Sequence, residues 1–373
     1  MVRSRNGKTA RAQAGSRRCQ DGTVNSFETL AARLLVPIIA APMAGGPSTP
    51  ALVATVADAG GSGFLAAGYR TAQEMSAQIA EVRSLTERPF GVNLFVPNDD
   101  PVDDAALEVY RRSLLPTASE FGLDELPSHK AETEDWDAKL AALQEDPVPM
   151  VSFTFGLPDA DVVGALQAVG TCVLATVTSL SEARAAEQLG YDGLVVQGPD
   201  AGGHRGTHHT STEPDRTPLL SLLAHIVQSV DLPIIAAGGL SAGSSIADAL
   251  ALADAVQLGT AFLDADEAGT SAIHRAALRD PRFTETAVTR CFTGRFARGL
   301  RNDFIDRFDH DAPAAYPAVH QVTQPLRKAA TAANDPRFVH LWAGTGWRDL
   351  PSGGGAQITN DLWRAAQEQM HDA

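Results

Sequence analysis

VPIIAAPMAGGPSTPALVATVADA, Val36–Ala59, contains a whole strand–turn–helix unit. Its opening run is apolar without alternation, which predicts a strand over Val36–Met43 buried on both faces, as in a parallel sheet covered by helices. Pro42, Pro47 and Pro50 then restrict the backbone, while Gly45 and Gly46 let it turn sharply. Ser48 or Thr49 stands where a cap is needed for the helix expected over Thr49–Ala59.

The unit recurs along the chain. Apolar runs at Ser62–Ala67, Phe90–Phe95, Met150–Phe155, Thr171–Val177, Asp192–Gln197, Leu232–Ala237 and Ala255–Phe262 bring the expected strands to eight. Between them, Ala72–Leu85, Asp159–Val169, Leu180–Leu189 and Ser244–Ala253 carry apolar residues at helical spacing. This alternation predicts an α/β fold, a (β/α)8 TIM barrel, with a doubly wound sheet as the structural rival. The count favours the barrel. So does the position of the most distinctive residues, which follow the carboxyl ends of strands and would share one rim.

Residues 24–280 are assigned to this barrel. An insertion after strand 3, residues 97–148, has helical patterning at Asp104–Phe121 and Thr133–Leu143. Residues 281–373 are read as a C-terminal α-rich cap, because three of the four tryptophans (Trp342, Trp347 and Trp363) lie there. Within it, SGGG at Ser352–Gly355 reads as a flexible break before a last short helix.

The chain has 373 residues, with 45 acidic and 30 basic side chains and a formal net charge of -15. That balance argues against a surface for nucleic acid or anionic lipid, and no apolar run approaches the ~18 residues of a membrane span. Cys19, Cys172 and Cys291 form no C-x-x-C, which fits a reducing cytoplasm. The apolar neighbours of Cys172 and Cys291 fit structural roles. Residues 1–23 are basic, with Arg3, Arg5, Lys8, Arg11, Arg17 and Arg18 and no acid among the first 20. They read as a disordered tail; an Arg-rich transit segment is the alternative, though an amphipathic face is lacking.

Four motifs carry chemistry. APMAGGPSTP, Ala41–Pro50, is either a tight strand-to-helix turn or a surface for a flat aromatic cofactor. GVNLF, Gly91–Phe95, sets the Asn93 amide in an apolar strand, where it bonds neighbouring backbone or satisfies a heteroaromatic ring. VVQGPDAGGHRG, Val195–Gly206, ends a strand in Gln197, frees the loop with Gly202 and Gly203, and sets His204 beside Arg205. There His204 would be exposed at the rim with the ordinary pKa of a base at neutral pH, and Arg205 would supply a permanent cation. His208 and His209 follow without the pattern of a zinc site, and no metal is expected.

The fourth motif is a pair. AAGG, Ala236–Gly239, and QLGT, Gln257–Thr260, end the seventh and eighth strands, where barrels often hold phosphate on backbone N–H groups. Ordinary turns would use the same glycines. Phosphate at this point, with Asn93 and Gln197 facing a flat ring, suits a mononucleotide such as FMN. No G-x-G-x-x-G follows a strand, so a Rossmann-type nicotinamide domain is not indicated.

Taken in order, APMAGGPSTP, GVNLF, LATVTS (174–179), VQGPDAGGHRG (196–206), IIAAGGLSAG (234–243) and VQLGTAFL (256–263) resemble the nitronate monooxygenase family, class I. The likeness runs from about Val36 to Trp347. It implies an FMN barrel that oxidises alkyl nitronates, such as propionate 3-nitronate, with O2 to a carbonyl compound and nitrite. It further implies cofactor contacts from Pro42, Met43, Ala44, Asn93, Gln197 and Gln257, and phosphate contacts from Gly202, Gly203, Gly238, Gly239, Gly259 and Thr260. His204 takes the family's catalytic histidine position, as a base for neutral nitroalkanes.

YPAVHQVTQPLR, Tyr316–Arg327, resembles a segment that closes the family's substrate pocket, which implies substrate contacts from Tyr316, His320 and Gln324. His320 and Gln324 stand where the family often has tyrosine and lysine, so the resemblance implies a less cationic pocket. The rival readings are an NADH- or NADPH-dependent quinone or enoyl reductase on the same flavin barrel, a non-catalytic FMN-binding protein, and a flavin-free barrel lyase.

Overall fold

The computed structural model describes Phe27 and residues 34–97, 100–130 and 134–371. The expectations for the basic tail and Cys19 lie outside these residues. Eight parallel strands close into a barrel: β1 (Ile38–Ala40), β2 (Ser62–Ala66), β3 (Gly91–Phe95), β4 (Met150–Thr154), β5 (Cys172–Val177), β6 (Gly193–Gln197), β8 (Ile234–Ala237) and β9 (Ala255–Leu258). β7 is a short extra strand, Gly203–His204, outside the barrel. β1 closes the ring against β9, with Ile38 opposite Val256 and Ala40 opposite Leu258. β1 is shorter than its apolar run because Pro37 and Pro42, which lack an N–H donor, bracket it.

The covering helices are α1 (Pro50–Asp58), α2 (Ala72–Leu85), α5 (Ala160–Ala168), α6 (Leu180–Gln188), α7 (Leu219–Val227) and α8 (Gly243–Leu250). Thr49, not Ser48, caps α1: its hydroxyl accepts from Leu52 N at 3.0 Å and donates to Glu267 O at 2.6 Å. Ser48 braces the preceding turn, accepting from Met43 N and donating to Ala41 O. α7 has no counterpart in the sequence expectations, although Leu219, Leu222, Leu223 and Ile226 form its buried stripe at helical spacing.

The insertion after β3 forms α3 (Asp104–Glu120) and α4 (Trp136–Glu145). Leu107, Tyr110 and Leu114 of α3 join a second core with Phe292, Phe304, Val319 and Leu326, and the buried Tyr110 hydroxyl donates to Cys291 O at 2.6 Å. Following β9 come α9 (Ala272–Arg279), β10 (Thr286–Thr289), β11 (Ala297–Leu300), α10 (Asp303–Phe308), α11 (Ala318–Ala332) and α12 (Gly355–His371). The C-terminal region is thus not purely helical. β10 and β11 form a hairpin, and β11 pairs antiparallel with β7, Ala297 opposite His204. Cys172 and Cys291 are both buried in apolar clusters.

The last helix is 17 residues long, and it packs between α8 and α1, in the gap of the helical ring that follows β9. SGGG is anchored at its start: Gly353 bridges to Ala265, and Gly355 N donates to Glu267 Oε2 at 2.8 Å. α12 approaches α8 closely enough that a Cβ on Gly243 would lie 2.5 Å from the carbonyl carbon of Ala365. Gly243→Val is therefore expected to cost about 1–3 kcal/mol by overpacking. Urea unfolding checks this, and an unchanged midpoint would contradict the seat assigned to α12.

Candidate active site

The strand ends open into a cavity of about 550 Å³. Pro42, Met43 and Ala44 after β1, Asn93 on β3, Gln197 on β6, Gly202, Gly203 and His204 beyond it, Gly238 and Gly239 after β8, and Gln257, Gly259 and Thr260 at β9 all line it. His320 and Gln324 on α11 line the opposite side. Tyr316, the third residue expected to contact substrate, is off the wall; it is buried beneath, its ring against Phe155 and His204.

One wall is made of backbone. Gly238 and Gly239 have φ of 104° and 76°, a left-handed conformation that glycine adopts freely. A Cβ on Gly202 would lie 2.5 Å from Gly344 N, so the loop after β6 and the segment after Trp342 touch main chain to main chain. The Thr260 hydroxyl ties this seam by accepting from Gly344 N at 2.9 Å. Gln257 is 5% exposed, and its Nε2 has no hydrogen-bond partner among the described residues. A buried amide N–H is costly unless something accepts from it.

Asn93 and Gln197 are both more committed than a ring-facing role requires. Asn93 Nδ2 donates to Ser152 O, Ser152 Oγ and Thr154 Oγ1, and Thr154 continues the chain to Thr176 Oγ1 at 3.1 Å. Gln197 spans the loop: its Nε2 donates to His204 O and its Oε1 accepts from Gly206 N, each at 2.9 Å. Its amide therefore fixes the peptides on both sides of Arg205, the first of which begins at the His204 carbonyl.

His204 differs from its expected character. It is half-buried, and burial, together with Arg295 and Arg327, lowers its pKa to about 3. It is a neutral imidazole at physiological pH. Thr293 Oγ1 donates to Arg295 O and so accepts from His204 Nε2 at 2.9 Å, which leaves Nδ1 as the basic atom. Phe155, Tyr316 and Trp342 hold the ring on three sides at centroid distances of 5.6, 6.0 and 5.6 Å.

Arg205 also departs from expectation. It is 1% exposed, does not line the cavity, and spends its guanidinium on the carbonyls of Gly198 and Gln197. The charge comes instead from the C-terminal region. Arg295 is fully buried, donates to Thr207 and Thr210, and stacks 4.2 Å above Phe155. Arg327 and Lys328 line the cavity on α11, so the wall that carries His320 and Gln324 has cations at neighbouring positions. Of the other histidines after β6, His208 bonds Thr176 O, whereas His209 bonds Asp100 Oδ1.

Several residues here escaped the sequence motifs. Phe155 and Tyr69 line the cavity with φ of 79° and 65°, a strained state for bulky side chains that clusters at functional sites. His274 and His340 also line it. A helical signal was available for α11, since 320, 324, 327, 328 and 331 share one face. The strained aromatics have none, because φ is set by tertiary packing.

A family model described as nitronate monooxygenase matches residues 28–362. A probable nitronate monooxygenase of Staphylococcus saprophyticus is 36% identical over 342 residues, covering 90% of this chain and 96% of that one. Its counterpart in Staphylococcus haemolyticus is 35% identical over 353 residues, covering 93% and 97%. Among solved structures, nitroalkane oxidase from Streptomyces ansochromogenes superposes with a TM-score of 0.89 at 47% identity, covering 92% of this chain and 99% of that one. FabK from Thermotoga maritima, at 24% identity and a TM-score of 0.72 over 94% and 98% of the chains, shares the fold.

Burial lowers the pKa of His320 to about 3 and of His274 to about 4, and drives His340 well below its ordinary value. With His204, four cavity histidines are kept neutral in the folded state. In the unfolded chain they titrate near about 6.5, so below that pH the unfolded state binds more protons. Stability should then fall with pH, by up to about 1.4 kcal/mol per unit for each histidine. Thermal unfolding between about pH 7 and about pH 5 should show a marked drop in Tm. A flat Tm across that window would contradict neutral burial.

Proposed function

The chain belongs to the nitronate monooxygenase family, and on that premise we propose that its cavity binds FMN and oxidises alkyl nitronates with O2 to a carbonyl compound and nitrite. Membership makes it an enzyme, a flavin-dependent oxidoreductase. Among the described residues, no helix is long and apolar enough to cross a membrane.

The residues present fit a flavin mononucleotide. The backbone wall of Gly202, Gly203, Gly238, Gly239 and Gly259 suits a phosphate, which needs close N–H approach rather than side chains. The unpartnered Gln257 Nε2 is a buried donor suited to a ring oxygen or nitrogen. Pro42, Met43 and Ala44 would lie against the ring, with Asn93 beside it. When bound, the flavin supplies the redox chemistry between substrate and O2.

The observation that carries the reading is a neutral histidine whose Nε2 is engaged by Thr293, which leaves Nδ1 as the basic atom, and whose protonation is suppressed first by burial and then by Arg295 and Arg327. A nitronate is already anionic, so it needs electrostatic binding and no base. A neutral nitroalkane must first lose its α-proton, and Nδ1 of His204 takes it. The cations that disfavour imidazolium also favour the nitronate formed in the same step, which offsets part of the cost of charging the ring. Gln197 and Thr293 keep the ring aimed, one through the backbone and one through Nε2.

His204→Asn should lower nitroalkane turnover by about 10²–10⁴-fold while nitronate oxidation stays within about tenfold of the parent. Both rates are to be measured on yellow protein whose flavin, released by denaturation, is identified as FMN. Equal loss of both activities would contradict the base assignment, and a flavin-free active protein would overturn the reading as a whole.

A further inference from the structure

Arg327 is an unusual residue to find in a cavity wall. It is 5% exposed, and among the described residues no carboxylate pairs with it. Its Nε donates to Thr323 Oγ1 at 3.1 Å, and its Nη2 donates to His320 O at 3.0 Å. The remaining contacts go to imidazoles: Nη1 to His340 Nδ1 at 3.1 Å and Nη2 to His320 Nδ1 at 3.3 Å.

A guanidinium only donates, so both Nδ1 atoms must be acceptors. Each neutral ring therefore carries its proton on Nε2. Neither Nε2 has a protein partner among the described residues, and both side chains line the cavity. The rings are held in place, His320 stacked on Tyr69 at 4.4 Å and 8° and His340 against Trp342 at 5.5 Å. Exposed Lys328 stands at the same wall.

We propose that His320 and His340 are an oxyanion receptor, with Arg327 as the positioning residue that fixes both as Nε2–H donors, and that the receptor binds the nitronate oxygens of the substrate. This rests on the proposed nitronate chemistry and assigns its anion to this chain's own residues. Two fixed donors backed by an unneutralised cation select a planar, delocalised monoanion. They offer no acceptor to a cationic ligand or to one that only donates. The arrangement also accounts for a buried guanidinium without a carboxylate, since the missing negative charge arrives with the substrate.

The test uses nitrate, a planar monoanion that cannot turn over, titrated into the holoenzyme and followed by the flavin absorbance and by competition with nitronate. Wild-type enzyme should bind nitrate competitively with nitronate. Arg327→Met and His340→Leu should each weaken nitrate and raise the nitronate KM by about tenfold, with smaller changes in kcat and in the KM for a neutral nitroalkane. Arg327→Lys and His340→Gln, which restore a cation and a donor, should recover part of the loss.

Tm and flavin content identify variants that have not folded; if Arg327→Met is among them, the His340 pair decides. The proposal is overturned if wild type binds no nitrate, if folded variants keep nitrate affinity and nitronate KM, or if nitronate and nitroalkane KM rise together. Nitrate binding that is lost in the variants of an enzyme inactive on nitronate would sustain the receptor and refute the nitronate chemistry.

Discussion

Pairing of β1 with β9, Ile38 opposite Val256, turns an open sheet into a ring. A closed parallel barrel has a single carboxyl rim, so residues as distant in sequence as Met43, Asn93, Gln197 and Gln257 must meet there. The C-terminal region builds on that constraint. α12 returns to fill the helical layer between α8 and α1, while the β10–β11 hairpin reaches over the rim and captures His204 as its third strand. The base candidate is thus held by the barrel through Gln197 and by the hairpin through Ala297 and Thr293.

The rim concentrates positive charge in an acidic protein. Net charge is -15, yet Arg295 and Arg327 are buried beside the cavity without carboxylate partners among the described residues. Four neutral histidines share that environment, each kept from protonating first of all by burial. A site of this kind favours an anionic ligand over a cationic one, since bringing in the missing negative charge relieves the burial of the positive. In the proposed reaction His204 and Arg327 have complementary parts: one would remove a proton when the substrate still has it, and the other would order donors for the anion that results.

Much of this was legible in the sequence. Uninterrupted apolar runs ending in small residues located every barrel strand, and the glycine-rich segments after the strands located the cavity wall. Asn93, Gln197, His204 and the two glycine pairs come together as their positions at strand ends require. What sequence could not supply was environment. His204 stands in a loop rich in glycine, which suggested exposure, yet the hairpin from 90 residues further on covers it. Arg205 looked like the local cation because it adjoins His204, but its guanidinium staples the carbonyls of Gly198 and Gln197 behind the wall. The operative cations, Arg295 and Arg327, belong to segments whose contact with the rim depends on tertiary packing alone.

In the proposed reaction this cavity passes electrons from a nitronate to a bound flavin. Anaerobic mixing of the holoenzyme with propionate 3-nitronate, NADH and NADPH in separate reactions tests it directly, because flavin reduction is visible as bleaching. The nitronate should bleach the flavin rapidly, and readmitted O2 should restore the colour with nitrite formed. Rapid bleaching by NADH or NADPH, with no response to the nitronate, would contradict it and select a nicotinamide-dependent reductase on the same barrel.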